Sequence, residues 1–241
     1  MLRRALVPAT HQAYRPARVL SSRAVPRRQR QWTGLFSLPQ RHVSTSPDLA
    51  DKTAKDLPRF QEWDANGVFS PKLWFFTKFN IFTVLHSAWP EVPAAYDIPE
   101  FLDEAKKAME SILTTIYSSE FFNAAIDSSI ENDKLLFLHD IMSPQCVQTF
   151  IDGFRALHEN GVTGFQLTEL KIKGCHLQAV DLDDDQVKIQ LHVLFFTEEH
   201  VTTTGNIDGK EVKEMSTRDD QCTWVFESEL EEPIKWIIVA I

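Results

Sequence analysis

The spacing of hydrophobic residues along this chain changes from a helical period to a strand period near Gly164. Between residues 97 and 161 apolar residues recur three and four positions apart, which indicates amphipathic helices. From Gly164 onward apolar and polar residues alternate more nearly in twos, which is the period of half-buried strands. Helices followed by an antiparallel meander predict an α+β fold, with the helices packed on one side of a curved sheet.

Four helices are predicted, and local capping chemistry marks where most of them begin. Asp97 and Glu100 form a capping box, and Ser143 is a cap that is followed by a proline at the first helical position. Asn160 and Gly161 should end the fourth helix. The predicted helices run from Asp97 to about Tyr117, through Phe121 to Ile130, from Asn132 with Leu135, Leu136 and Leu138 facing inward, and from Ser143 to Leu157.

The strand region is predicted as a series of hairpins. Its segments are "FQLTELKIKG", "CHLQAVDL", "VKIQLHVLFFTEEHVTT", "DQCTWVFESEL" and "KWIIVAI", with turns at residues 183–186 and at the Asp-Gly pair of "NIDG". In the third segment Val187, Ile189, Leu191 and Val193 should share the core face. The final strand is apolar on both faces and is predicted to be the most buried of all.

The N-terminal part differs in composition from everything after it. Up to Pro47 there are nine arginines and no Asp, Glu or Lys. An Arg-rich, Ser-containing and acid-free N-terminus is typical of a mitochondrial transit peptide, and we assign this role to residues 1–43. Residues 44–98 are interpreted as a linker followed by an aromatic amphipathic segment, and the polar stretch Asp48–Asn66 as a linker or loosely ordered arm.

The most aromatic stretch is "PKLWFFTKFNIFTVLHSAW", residues 71–89. It is too short and too polar for a confident transmembrane helix, but it can lie along a surface. Two interpretations are open. The aromatic residues pack on protein, or they form an interfacial helix that touches the inner membrane. In either case the predicted contact residues are Trp74, Phe75, Phe76, Phe79 and Phe82.

Net charge argues against one class of function. Without residues 1–43 the chain keeps 16 Lys and Arg against 34 Asp and Glu, a net charge of −18. So acidic a body should repel phosphate backbones, and no direct binding to DNA or other nucleic acid is expected.

No cofactor, metal site or catalytic residue is predicted. The three cysteines have no zinc-binding spacing, and the acidic run "DLDDD" lacks the pattern of a calcium loop. His176, His192 and the neighbours His139 and Asp140 were considered as acid–base groups, and His192 is expected to be solvated beside Lys188 and Gln190.

The order of these elements resembles a known family. The segments "FLDEAKKAMESI", "NDKLLFLHDIMSPQCVQTFI" and "WVFESELEEPIKWIIVAI" resemble the C-terminal domain of the translocase of the inner mitochondrial membrane subunit 44 family, which is shared with mitochondrial large ribosomal subunit protein 45. The resemblance covers residues 99–241. It implies a cone like that of nuclear transport factor 2, with a hydrophobic pocket that we assign to Trp224, Phe226, Trp236 and Ile238.

The resemblance also implies a function and a location. It implies a non-enzymatic adaptor or scaffold in the mitochondrial matrix, peripheral to the inner membrane, with the inner-membrane translocase and the matrix chaperone as partners in protein import. A mitochondrial ribosome protein that tethers the large subunit to the membrane is one alternative. A small-molecule enzyme of the nuclear transport factor 2 type, or a scaffold subunit of another inner-membrane complex, is another.

Overall fold

The computed structural model describes residues 47–88, 98–127, 132–183, 188–207, 209–230 and 234–241. The chain divides into two compact units, residues 1–53 and 54–241, and nearly all described residues belong to the second. The proposed transit peptide lies outside the described residues, as do Asp97, Ile130 and most of the turn at residues 183–186.

The described part is a mixed α+β structure, as the sequence predicts. The side chains of Ser118, Asn132 and Ser143 each accept a hydrogen bond from a backbone N–H of the first turn of a helix. Ser143 was predicted as a cap and Asn132 as a helix start, whereas the cap at Ser118 was not predicted. Asn160 caps the C-terminus of the last helix. The helices are α1 (Pro47–Ala65), α2 (Phe75–Ala88), α3 (Ile98–Ile116), α4 (Ser119–Ile126), α5 (Asp133–Ile141) and α6 (Pro144–Glu159).

One correction concerns α1. The polar stretch Asp48–Asn66 was interpreted as a linker or loose arm, and that interpretation is wrong, because the segment is helical to Ala65. Phe60 and Trp63 are three residues apart, so they share one face of α1, and both are buried. Their partners are Phe69 and Phe82, which lie beyond the helix. The helix is therefore stabilised by tertiary packing that its own polar sequence does not reveal.

A four-stranded antiparallel sheet forms the second layer, with the strands in sequence order. The strands are β1 (Val162–Leu182), β2 (Lys188–Ile207), β3 (Lys210–Glu229) and β4 (Ile237–Ala240). The first two predicted segments form the single strand β1, and four register shifts interrupt its pairing with β2. Such bulges bend a strand locally and increase its twist.

The two faces of β2 differ as predicted. Ile189, Leu191 and Val193 are fully buried, whereas Lys188 and Gln190 on the other face are only half-buried. Odd-numbered residues of β2 therefore face the core that the helices cover, and even-numbered residues lie on the other face, where Leu194 and Thr202 are also buried. We call the second face the outer face of the sheet. Val187, which was predicted for the core face, lies outside the described residues.

Two predictions about burial are wrong. The last strand is not the most buried, because β4 is the edge strand of the sheet. It pairs with Val225–Glu227 of β3, and on its other side Ile238 makes only an isolated bridge to Met142 among the described residues. Only Ile238 in it is buried, and Ile241 is exposed. In α5, Leu138 faces inward as predicted, but Leu136 is 65% exposed. Positions 136 and 138 lie about 200° apart around a helix, so both cannot face one core.

Candidate membrane or partner contact site

Helices α1 and α2 form a hairpin whose connecting residues are hydrogen-bonded to the sheet. The connecting residues 68–70 lie along the free edge of β1: Leu177 N–H donates to the Val68 carbonyl at 2.7 Å, and Ser70 N–H donates to the Leu177 carbonyl at 3.0 Å. The His176 ring donates from Nδ1 to the Gly67 carbonyl at 2.6 Å. These contacts fix the position from which α2 begins.

The inside of this hairpin is a cluster of aromatic rings centred on Phe60. Its ring lies 5.5–5.6 Å from those of Phe69, Phe75, Phe79 and Phe82, mostly edge to face. Edge-to-face packing is a favoured geometry for aromatic pairs. The first turn of α2 is therefore attached to a rigid aromatic interior.

The five predicted contact residues divide into two groups. Phe82 is buried and Phe79 is half-buried in the hairpin interior. Trp74, Phe75 and Phe76 are exposed by 80%, 56% and 78%. We call these three consecutive residues the exposed aromatic cluster. The structure thus narrows the surface available for contact to one turn at the start of α2.

The chain around the exposed aromatic cluster carries no negative charge. There is no Asp or Glu between Asp64 and Glu91, although the whole chain has 34 of them. The two nearby lysines have partners: Lys78 pairs with Asp64 at 2.6 Å. Lys72 donates to Gln221 of β3 at 3.2 Å and lies over the ring of Phe196.

The residues assigned to a hydrophobic pocket lie near one another at the β3–β4 end of the sheet. Phe226 pairs with Ile238, and the rings of Phe226 and Trp236 lie 5.4 and 4.9 Å from that of Phe101 in α3. Trp224 packs instead on Phe195 of β2. Trp224, Phe226 and Ile238 are buried, and Trp236 is half-buried. Phe101 therefore occupies the space between the strands and α3 at this end.

The titratable residues considered for catalysis lie apart. His139 and Asp140 are exposed on α5, and His176 holds the hairpin connection as described above. His192 is half-buried and pairs with Asp181, with Nε2 2.9 Å from Oδ2, and this contact holds the pKa of Asp181 below its ordinary value. Across the described residues, no three His, Cys, Asp or Glu side chains are placed to hold a metal ion.

Sequence reasoning missed a buried polar cluster on the core face of the sheet. Arg218 donates to Glu199 at 2.9 Å and to the Tyr117 hydroxyl at 3.2 Å. Burial raises the pKa of Tyr117 and also that of Glu199 above the ordinary values. The pairing of Glu199 with Arg218 could have been predicted from the hairpin turn, because a two-residue turn that pairs Ile207 with Lys210 also puts position 199 opposite position 218.

No helix within the described ranges is long and apolar enough to cross a membrane. No protein-family model matches this chain, and no curated protein matches it. Among solved structures, the intermembrane space region of the chloroplast protein ARC6 is similar over 55% of this chain and 91% of that chain, with 12% identity and a TM-score of 0.28. At that TM-score the likeness carries no argument about architecture or function.

Proposed function

We propose that this protein is a non-enzymatic mitochondrial adaptor, peripheral to the matrix face of the inner membrane, which contacts the membrane through Trp74, Phe75 and Phe76. The observation that carries the proposal is the exposed aromatic cluster itself. Three large rings in contact with water are costly unless something covers them, because exposed apolar surface is unfavourable in proportion to its area.

The size of the cluster favours lipid over protein as the covering partner. Each aromatic side chain contributes about 150–250 Å² when fully exposed, so the three together expose roughly 300–500 Å². A stable protein interface covers about 800 Å² on each partner. A small group of rings that includes a tryptophan is sufficient for shallow insertion at the level of the lipid headgroups.

Charge supports the same choice. An acidic body is repelled by anionic lipid, and this repulsion falls off within about 8–10 Å at physiological salt. The acid-free stretch between Asp64 and Glu91 keeps carboxylates of the local chain away from the inserted rings. The contact is therefore expected to depend on apolar insertion more than on basic residues.

The proposed location and partners are inferred from the sequence. The acid-free, Arg-rich residues 1–43 support import into mitochondria. The resemblance of residues 99–241 to the subunit 44 family supports a role with the inner-membrane translocase and the matrix chaperone. It also underlies the inference of a cone like that of nuclear transport factor 2, which the length of β1–β3 and the bulges in the pairing of β1 with β2 support.

Vesicle flotation tests the membrane contact. The full chain is mixed with vesicles of phosphatidylcholine containing cardiolipin, and the fraction that floats is measured for the parent and for Trp74→Ser/Phe76→Ser. We expect the double variant to lose most of the binding. Leu136→Ser/Phe137→Ser is the matched control, because it removes two exposed apolar side chains from α5. Equal flotation of parent and Trp74→Ser/Phe76→Ser would refute the membrane contact.

Cross-linking mass spectrometry in detergent-solubilised mitochondria tests the partners. Cross-links to the translocase and its chaperone would support a role in import. Cross-links to the large ribosomal subunit would instead support a role in tethering ribosomes to the membrane. If no cross-links formed to either the translocase or the ribosome, the proposed role in import would be refuted.

A further inference from the structure

One edge of the sheet is open over most of its length. β3 pairs with β2 from Lys210 to Glu229, but β4 covers its other side only at Val225–Glu227. No strand or isolated bridge within the described ranges pairs with that side between Lys210 and Thr223. A row of unpaired backbone N–H and C=O groups on a long edge is a template for another strand.

The hairpin geometry shows which backbone groups face away from β2. In a two-residue hairpin the closing pair, here Ile207 and Lys210, exchanges both hydrogen bonds. The β2–β3 register has no shift, so even-numbered residues of β3 bond to β2 and odd-numbered residues face outward. Gln221 agrees with this pattern, because its N–H donates to the side chain of the preceding Asp220 instead of to a strand.

The charges along this edge are self-complementary in one antiparallel register. Two β3 strands that pair antiparallel are related by a two-fold axis perpendicular to the joined sheet, and residues that face each other lie on the same face of that sheet. Even-numbered residues must therefore face even-numbered residues, which requires that the axis lies level with a residue and not between two residues. Centring the register on Ser216 puts Lys213 opposite Asp219 of the second copy and Glu214 opposite Arg218 of the second copy. Within its own chain Asp219 also pairs with Lys173, and Arg218 also pairs with Glu199, so each charge pair would add to an existing one. Each pair occurs twice by symmetry, and opposite charges across strands are stabilising.

The neighbouring registers bring like charges together. Moving the centre one residue toward the N-terminus places Glu211 opposite Asp219, and moving it one residue toward the C-terminus places Glu214 opposite Asp220. Charged residues on an edge usually prevent pairing with other strands. Here the charged residues disfavour the two shifted registers and are compatible with the register centred on Ser216. They therefore select one register instead of preventing association.

We propose that two copies of this chain associate through the open edge of β3, antiparallel and centred on Ser216, so that the two sheets become continuous. Lys213, Met215, Thr217 and Asp219 are exposed in the single chain and would line the outer face of the junction. Met215, which is 76% exposed, would face Thr217 of the second copy. This proposal does not depend on the membrane contact.

Sedimentation velocity of the full chain between about 1 and 100 μM tests the proposal. The parent should show a concentration-dependent dimer. Lys213→Glu turns two attractive pairs into repulsive ones and should raise the dissociation constant at least about tenfold. Adding Asp219→Lys should restore the dimer, and Lys173 keeps its pair with Glu198 in that variant. Lys107→Glu on α3 is the control for net charge, since that side chain is also exposed.

A second variant tests the backbone pairing independently of charge. Met215→Pro removes an outward N–H and should abolish the dimer without breaking a bond to β2, because proline is tolerated on a free edge. Met215→Ala keeps the N–H and should retain the dimer. A monomer at every concentration would overturn the proposal, as would a dimer that tolerates both Lys213→Glu and Met215→Pro. Slow hydrogen exchange of the odd-numbered β3 amides in a monomer would also overturn it, since another segment would then cover the edge.

Discussion

The aromatic interior of the α1–α2 hairpin can be tested by a single truncation, Phe60→Ala. Phe60 is 2% exposed, and its ring contacts four other rings. Replacing a buried phenylalanine with alanine costs about 3–5 kcal/mol, and the central position of this ring places the expected loss near 4 kcal/mol. Because whole domains are stable by about 5–15 kcal/mol, this loss is a large fraction of the free energy that can hold the hairpin closed.

The loss of stability caused by Phe60→Ala should be confined to the α1–α2 hairpin. The described hydrogen bonds that join the connection to the body are few, at Leu177, His176 and Gln221, so the hairpin can open while the sheet stays folded. Hydrogen exchange with mass spectrometry should show protection of residues 56–86 falling about a thousandfold, the factor that corresponds to 4 kcal/mol. Protection of the buried part of β2 should change little. Urea unfolding followed by circular dichroism measures the remaining global stability.

Phe76→Ala is the matched control. It makes the same substitution in α2 of the same hairpin, but the side chain is 78% exposed and its ring contacts Phe75 alone among the described rings. The expected cost is about 0.5 kcal/mol or less. If Phe60→Ala changed the opening free energy by less than about 1 kcal/mol, or if the two variants behaved alike, the assignment of Phe60 as the centre of the hairpin would be refuted.

Three further predictions concern the body of the fold. Gly161→Ala should lower the free energy of unfolding in urea more than Gly209→Ala does. Both glycines have positive φ, but only at Gly161 would an added Cβ meet backbone, the Asn206 carbonyl of β2; equal costs would contradict this. Burial raises the pKa of all three thiols, so native protein at pH 8 should react with a thiol reagent far more slowly than urea-unfolded protein. Arg218→Met should cost about 3–5 kcal/mol, and adding Glu199→Leu should recover much of it. In Arg218→Met alone, the Glu199 carboxyl keeps a pKa in the folded state that is raised above its value in the unfolded chain. The loss of stability should therefore be small at a pH below the pKa of the unfolded chain, and it should grow as the pH rises. A loss of stability that does not depend on pH would contradict the pairing of Arg218 with Glu199.

Much of the fold was predictable where the signal is local. The caps Asn132 and Ser143 and the Asp-Gly turn act through their own backbone neighbours, so the sequence alone identifies them. Helix α3 was predictable because its apolar residues follow one stripe. All six residues that helical spacing predicts to face inward are buried: Leu102, Ala105, Met109, Ile112, Leu113 and Ile116. Strand β2 was predictable for the same reason, since alternation determines which face of a strand is buried.

What could not be predicted depends on contacts distant in sequence. Alternation says nothing about strand order, so an apolar β4 could not be recognised as an edge strand. Helix α1 is buried through two aromatic residues among many polar ones, and their partners lie outside it. Helix α2 is apolar around most of its circumference, so no stripe distinguishes the exposed Phe76 from the buried Phe82.

The two proposals make a joint prediction that neither makes alone. Lys72 lies over Phe196 and donates to Gln221, both on the outer face, so the exposed aromatic cluster begins two residues from a contact with that face. A two-fold axis perpendicular to the joined sheet keeps both outer faces on one side, so the dimer would present two clusters toward the same membrane. Bivalent contact strengthens binding without any new contact. Lys213→Glu should therefore weaken vesicle flotation at protein concentrations where the parent is dimeric, and it should have no effect where the parent is monomeric. A uniform loss at all concentrations would instead show that Lys213 itself contacts lipid.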